Sequence, residues 1–171
     1  MRRFVLLFLL TGLLCCSFTT APQIESLPAL RIEVSKQTMT LRVLDDKNQE
    51  WACYPIACGL ALGDKREEGD MKTPEGEFYV QEILDSAKWK HDFKDGKGWI
   101  KGAYGPYFIR LFTPPHKGIG IHGTHDEASI GTRATEGCIR LRNSDLQLLV
   151  RFVYVGMKVT ILTSEADQQA Q

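Results

Sequence analysis

The stretch Gly118-Ile-Gly-Ile-His122-Gly-Thr124, followed after a mostly polar loop by Thr135-Glu-Gly-Cys138-Ile-Arg140-Leu-Arg-Asn143, gathers the most chemically telling residues of the chain. Gly118 to His122 alternates small and apolar residues as a short strand does. A histidine at the end of such a strand has a fixed backbone while its ring points into a site, and glycines on either side leave room for a substrate. A thiol of ordinary pKa near 8.5 is only about 3% thiolate at pH 7, so a catalytic cysteine needs a base or a positive field. His122 is the candidate base for Cys138. Gly137 permits a tight turn whose successive amides point one way, the geometry an oxyanion hole requires. Arg140 shares a side with Cys138 if the chain is extended there, where it would hold a substrate carboxylate or stabilise a thiolate.

Two blander readings compete. A cysteine and a histidine met singly are more often core residues than catalysts. His122 and His125 also have an HxxH spacing, with Cys138 as a third metal ligand. His125 lies among Asp126, Glu127 and Ser129 with no helical pattern to align the imidazoles, so no metal is expected. His91 and His116 read as surface histidines.

Outward from this segment the pattern is mostly β. Arg31 to Val34 and Thr38 to Leu44 alternate, Asp45-Asp-Lys-Asn48 is turn chemistry, and Glu50 to Leu60 resumes an apolar strand, giving a hairpin. Phe78 to Leu84, Pro106 to Phe112 and Met157 to Leu162 are further strands. One main helix is predicted near the C-terminus, capped from Asn143-Ser-Asp145, with Leu146, Leu149, Val150 and Val153 on one face and Gly156 as its stop. Residues 85–105 are charged and broken by glycines, which predicts a long exposed loop acting as a substrate lid, with Tyr104 and Tyr107 near the site. Residues 164–171 read as a disordered tail.

The N-terminus is different. Arg2 and Arg3 precede an apolar run from Phe4 to Leu14 that is too short for the about 20 residues of a spanning helix, so residues 1–16 read as a secretory signal peptide. Leu13-Leu-Cys-Cys16 is similar to a loose lipobox, which makes Cys16 a candidate lipid anchor. Residues 17–29 would then be a tether, and the folded domain spans 30–163. Beyond the signal stand Cys53, Cys58 and Cys138, an odd number, which in an oxidising compartment leaves one thiol without a partner in its own chain. Cys53 and Cys58 lie on one extended segment, roughly 16 Å apart, and are expected to be small core residues.

Composition bounds the function. The 171 residues are 43% hydrophobic with 21 basic and 21 acidic side chains, the make-up of one globular domain. A zero formal charge supplies no cationic excess for a phosphate backbone, so nucleic acid is not an expected partner.

The span Gly118 to Asn143 resembles the L,D-transpeptidase catalytic domain of the YkuD-like family, whose members carry a His-Gly segment, a loop, and Ser/Thr-x-Gly-Cys-x-Arg. Lys72-Thr-Pro-Glu-Gly-Glu-Phe78, Tyr104-Gly-Pro-Tyr107 and Val155-Gly-Met-Lys-Val-Thr-Ile161 are similar to three further family segments. One departure is Glu136, where many members have His. The resemblance implies a β-sandwich with one C-terminal helix and a lid loop, exported to the periplasm or cell envelope, working without a cofactor in peptidoglycan biosynthesis and cell shape. It implies that Cys138 attacks a tetrapeptide stem and expels D-Ala. His122 is then the base, the Gly123 carbonyl orients it, and the amides of Gly137 and Cys138 hold the oxyanion. Arg140 and Tyr107 bind substrate. The acceptor would be a stem amine, giving a 3-3 cross-link, or water, giving an L,D-carboxypeptidase, or a lipoprotein lysine. Sortases share the order His, Cys, Arg but separate these residues by dozens of positions, and papain-like wall hydrolases place Cys before His, so the first fails on spacing and the second on order. A non-catalytic peptidoglycan-binding module is the rival reading, and it predicts an inert Cys138.

Overall fold

The computed structural model describes residues 28–94, 96 and 98–170, so the signal peptide, Cys16 and nearly all of the tether lie outside the described residues. The strands are β1 (Arg31–Ser35), β2 (Thr40–Leu44), β3 (Glu50–Pro55), β4 (Cys58–Gly59), β5 (Gly76–Asp85), β6 (Lys90–Asp92), β7 (Trp99–Lys101), β8 (Tyr107–Phe112), β9 (Gly120–His122), β10 (Arg133–Thr135), β11 (Ile139–Arg140) and β12 (Lys158–Leu162). The helices are α1 (Asn143–Leu149) and α2 (Glu165–Gln169). Eight strands form one mixed sheet in the order β11-β9-β8-β5-β12-β1-β2-β3, and β4 with β10 and β6 with β7 make two small sheets. The pairs β1–β12 and β9–β11 are parallel and the other neighbours in the large sheet antiparallel.

The alternation read from the sequence becomes burial. Ile32 and Val34 of β1, Leu41 and Val43 of β2, and Val159 and Ile161 of β12 are buried, while the residues between them are partly exposed. Val43 near one end of the sheet and Ile121 and Ile139 at the other belong to one continuous cluster with Leu146, Leu149 and Met157, so the sheet curls around a single core. Each such buried side chain contributes about 1.5–3 kcal/mol through the apolar area it removes from water.

Five expectations need correction. The strand read as Glu50 to Leu60 is two strands, because after Pro55 the chain leaves β2 and Cys58–Gly59 pairs with β10 instead. Cys53 is exposed, not core: on the edge strand β3 the inward parity belongs to Tyr54, and Cys53 faces outward. Residues 85–105 are not a structureless loop but carry the β6–β7 hairpin. The C-terminal segment is not frayed: Ser164 caps α2 in a reciprocal capping box with Asp167. The main helix is also shorter than read, ending at Leu149, and it is Arg142 rather than Asn143 that occupies its N-cap.

Asp167 explains why that C-terminal segment is held. Its carboxylate is fully buried and accepts from both Arg133 Nη2 and the Gly63 amide at 2.8 Å, with Lys36 Nζ 3.0 Å away. Lys36 is itself buried and pairs with Glu75 at 2.5 Å. Burial alone would raise the Asp167 pKa, but the hydrogen bonds from Ser164 and Gly63 and the Lys36 charge outweigh it and hold the carboxyl well below its usual range. A depressed carboxyl contributes stability above its unfolded value that disappears as pH falls through the folded one. Asp167→Ala, which leaves the Arg133 guanidinium without its carboxylate and Lys36 with Glu75 alone, is therefore expected to cost on the order of 3–5 kcal/mol in urea denaturation at pH 7. In the parent the same contribution is lost progressively below about pH 4, and Asp167→Asn flattens that acid limb.

Candidate active site

The β8–β9–β11 end of the sheet carries the site. Antiparallel pairing sets Phe108 of β8 opposite His122 of β9, and parallel pairing sets Arg140 of β11 on the other side of the same histidine. Phe108 stacks flat on the His122 ring at 5.6 Å and Tyr104 packs edge-on at 4.9 Å. The buried imidazole donates from Nδ1 to the Gly123 carbonyl at 2.6 Å, which fixes the tautomer and leaves Nε2 as a proton acceptor.

That carbonyl is held in turn. Asn143 Oδ1 accepts from the Thr124 amide at 2.8 Å and Asn143 Nδ2 donates to the Thr124 carbonyl at 2.9 Å. A Cβ on Gly123 would sit 2.2 Å from Asn143 Oδ1, so only glycine admits this approach. The sequence suggested Asn143 as a helix cap; its structural place is behind the histidine.

Cys138 stands on the turn between β10 and β11 with its half-buried thiol 3.5 Å from the Gly118 carbonyl. Thr135 Oγ1 donates to the Cys138 carbonyl at 2.7 Å and accepts from the Gly137 amide at 3.1 Å, pinning the turn. Gly137 has φ +130° and a Cβ there would meet the Lys72 carbonyl at 2.6 Å, so the position requires glycine. The Gly137 amide, expected to serve an oxyanion, is thus already committed to Thr135.

Cys138, His122, Arg140, Tyr104 and Glu136 line one open groove of about 1280 Å³. Tyr107 does not join them. Tyr107 has the parity of Ile109 and Leu111 and packs against the core, whereas Phe108 and Arg110 face the groove. The β6–β7 hairpin supplies another wall through Lys90, His91 and Asp92. At the rim, Lys65 pairs with Asp70 at 2.7 Å, and Asp70 also accepts from the amides of Arg66, Glu67 and Lys72. His125 packs beside Phe93, at 5.1 Å between rings.

Electrostatics make the resting pair neutral. Burial pushes the Cys138 thiol up to about 11; the Gly120 amide opposes that shift and Glu136 adds to it. Burial pushes His122 down to about 3, against the pull of the Gly123 carbonyl and with help from the Arg140 charge. Burial likewise raises the Tyr104 phenol to about 12. Arg140 is buried, donates from Nη1 to Ser129 Oγ at 2.9 Å, and among the described residues its Nε has no partner.

Comparison with known proteins places the chain in a family and identifies the fold. The model of the YkuD family, the L,D-transpeptidase catalytic domain, matches residues 29–161. The chain belongs to the YkuD L,D-transpeptidase family. It is 32% identical over 132 residues to Bacillus subtilis YkuD, whose name carries the L,D-transpeptidase assignment; the match covers 77% of this chain and 64% of that protein. The chain thus spans slightly less than two thirds of that relative's length. The fold is similar to the catalytic domain of the Enterococcus faecium L,D-transpeptidase, with TM-score 0.58, 22% identity and coverage of 80% and 99%. It is also similar to the helical cell shape determining protein Pgp2 of Campylobacter jejuni, with TM-score 0.61, 25% identity and coverage of 83% and 52%.

A raised thiol pKa has a direct kinetic reading. Iodoacetamide labelling of Cys138, told apart from Cys53 by peptide mapping, is expected to climb about tenfold per pH unit from pH 7 to 10 without a plateau. A plateau at neutral pH would reveal a resting thiolate instead.

Proposed function

We propose that this protein is a cysteine L,D-transpeptidase that acts on the tetrapeptide stems of peptidoglycan in the cell envelope. The observation that carries the reading is the lock between His122 Nδ1 and the Gly123 carbonyl, which presents Nε2 to the groove that Cys138 shares. Cys138 attacks the carbonyl of the third stem residue as a neutral thiol, and His122 takes the proton as the C–S bond forms. The imidazolium then gives that proton to the terminal D-Ala nitrogen as the C–N bond breaks, leaving a thioester. Because both groups rest neutral, the ion pair exists only while substrate is being converted, so the enzyme carries no standing thiolate for stray electrophiles.

The Cys138 amide is the oxyanion donor in this reading, since that of Gly137 is engaged. A well-placed donor of this kind is worth about 3–4 kcal/mol. Arg140, which lines the groove, positions substrate or the thiolate. A stem amine resolves the thioester as a 3-3 cross-link, a lipoprotein lysine would resolve it as an anchor, and water would make the enzyme a carboxypeptidase. Export by residues 1–16 and lipidation at Cys16 would place the domain beside its substrate.

Mass spectrometry of disaccharide-tetrapeptide incubated with the mature chain tests this. Expected are D-Ala release and a cross-linked dimer, both absent with Cys138→Ala. Release without dimer marks a carboxypeptidase, and no change with folded, reduced protein favours a non-catalytic binding module. Asn143→Ala, which frees the carbonyl that orients His122, should lower D-Ala release about tenfold or more in the same assay.

A further inference from the structure

The polar groups of three groove residues have no part in the donor half-reaction, although the Tyr104 ring packs against His122. Tyr104 Oη donates to His91 Nδ1 at 2.9 Å, and His91 Nε2 donates to Glu136 Oε2 at 3.0 Å. They come from separate segments, the turn before β8, strand β6 and the turn before Cys138, and all three line the groove with that cysteine. The order hydroxyl, imidazole, carboxylate is the one that moves a proton off a hydroxyl and balances the resulting imidazolium. The Glu136 side chain is 45% exposed, so its carboxylate is both held by His91 and open to the groove.

We propose that Tyr104, His91 and Glu136 form a second proton relay, which receives the cationic acceptor amine and takes the proton it must lose before attacking the Cys138 thioester. The inference rests on the acyl-transfer reading above and deepens its second half.

The chemistry of that half creates the need. A stem amine of lysine-like pKa near 10.4 arrives as an ammonium, and only the neutral amine is a nucleophile. Two protons must leave its nitrogen, and His122 can accept one. In the relay, the ammonium gives its first proton to Tyr104 Oη as that hydroxyl passes its own to His91 Nδ1. The imidazolium is stabilised by Glu136 and later releases its proton to solvent. The neutral amine then forms the C–N bond, the tetrahedral intermediate breaks the C–S bond, and the second proton travels through His122 to the departing sulfur, restoring the thiol.

Placement and charge favour this role over one in the donor half. Glu136 opposes the Cys138 thiolate, a poor arrangement for activating the nucleophile but a suitable one for attracting a cation to a thioester, which has no charge to repel. Phe93 packs on His91, with its ring 4.4 Å from the imidazole and 5.9 Å from the Arg140 guanidinium, so an apolar ring stands next to His91 on the Arg140 side. Tyr104 lies against His122, so the two proton acceptors flank one reacting centre.

The test uses the mature chain and its Glu136→Gln, His91→Gln and Tyr104→Phe variants on disaccharide-tetrapeptide. Thioester formation is read by intact mass, and the ratio of amide to hydrolysed product is measured with the stem amine and with hydroxylamine, which is uncharged at neutral pH. Each variant should lower the stem-amine ratio about tenfold or more while the hydroxylamine ratio stays within about twofold. A merely structural strap between the hairpin and the cysteine turn would move both nucleophiles together, and that result would overturn the relay. So would a stem-amine ratio within about twofold of the parent in Glu136→Gln and His91→Gln. A parent chain that forms no thioester sinks the acyl-transfer reading and the relay with it, whereas a parent thioester with unaffected variants sinks the relay alone.

Discussion

The hydrogen bond from His122 Nδ1 to the Gly123 carbonyl is the constraint around which the site is organised. A buried imidazole has two nitrogens to satisfy, and this bond satisfies one with a backbone oxygen that cannot titrate. The choice has consequences. A carboxylate in that place would raise the pKa of the histidine and favour a resting imidazolium, whereas a carbonyl leaves burial dominant and the ring neutral. The surrounding residues then serve to keep one backbone oxygen still: Asn143 grips Thr124 from both sides, Gly123 has no side chain to obstruct it, and the Gly123 amide donates to the Tyr104 carbonyl at 2.8 Å. Phe108 and Tyr104 confine the ring itself.

Neutrality of the pair shapes how the groove is charged. Were Cys138 a standing thiolate, Glu136 one residue from Gly137 would be a repulsive defect. With a neutral thiol the same carboxylate costs little, and the repulsion acts only on the transient ion pair. The cations of the groove are correspondingly not crowded onto the sulfur: Lys65 is neutralised by Asp70, and Arg140 is tied to Ser129 with one donor still unpartnered. The field around the cysteine is thus divided between positions suited to an anionic donor and one suited to a cationic acceptor.

Much of this was legible in the sequence, and the failures have physical causes. Strands β1, β2, β5, β8 and β12 follow from alternation because each has one face on the core. The Gly-Cys turn was legible because only glycine tolerates its φ. Cys53 and Tyr107 were misplaced for the same reason: alternation shows that two faces exist, but the edge position of β3 and the curl of the sheet decide which face is wet and which borders the groove. The Gly137 amide also has a competitor that spacing alone does not reveal, the hydroxyl of a threonine two residues earlier, to which it donates in the structure. The β6–β7 hairpin is three residues a side and charged, too short to carry a periodic signal.

The C-terminal helix shows the same limit from the energetic side. Its sequence is polar and short, which on composition alone reads as solvated chain, yet Asp167 lies at the centre of a buried ion cluster joining Lys36 at the end of β1, Arg133 of β10 and the Gly63 amide. Arg133 also donates to the carbonyls of Gly59 and Ala61, so the cluster clamps the small β4–β10 sheet to the large one. That small sheet ends at Thr135, the residue whose hydroxyl pins the cysteine turn. A charge buried in the C-terminal helix is in this way mechanically continuous with the placement of Cys138, through hydrogen bonds and ion pairs that a hydrophobic sequence pattern does not display.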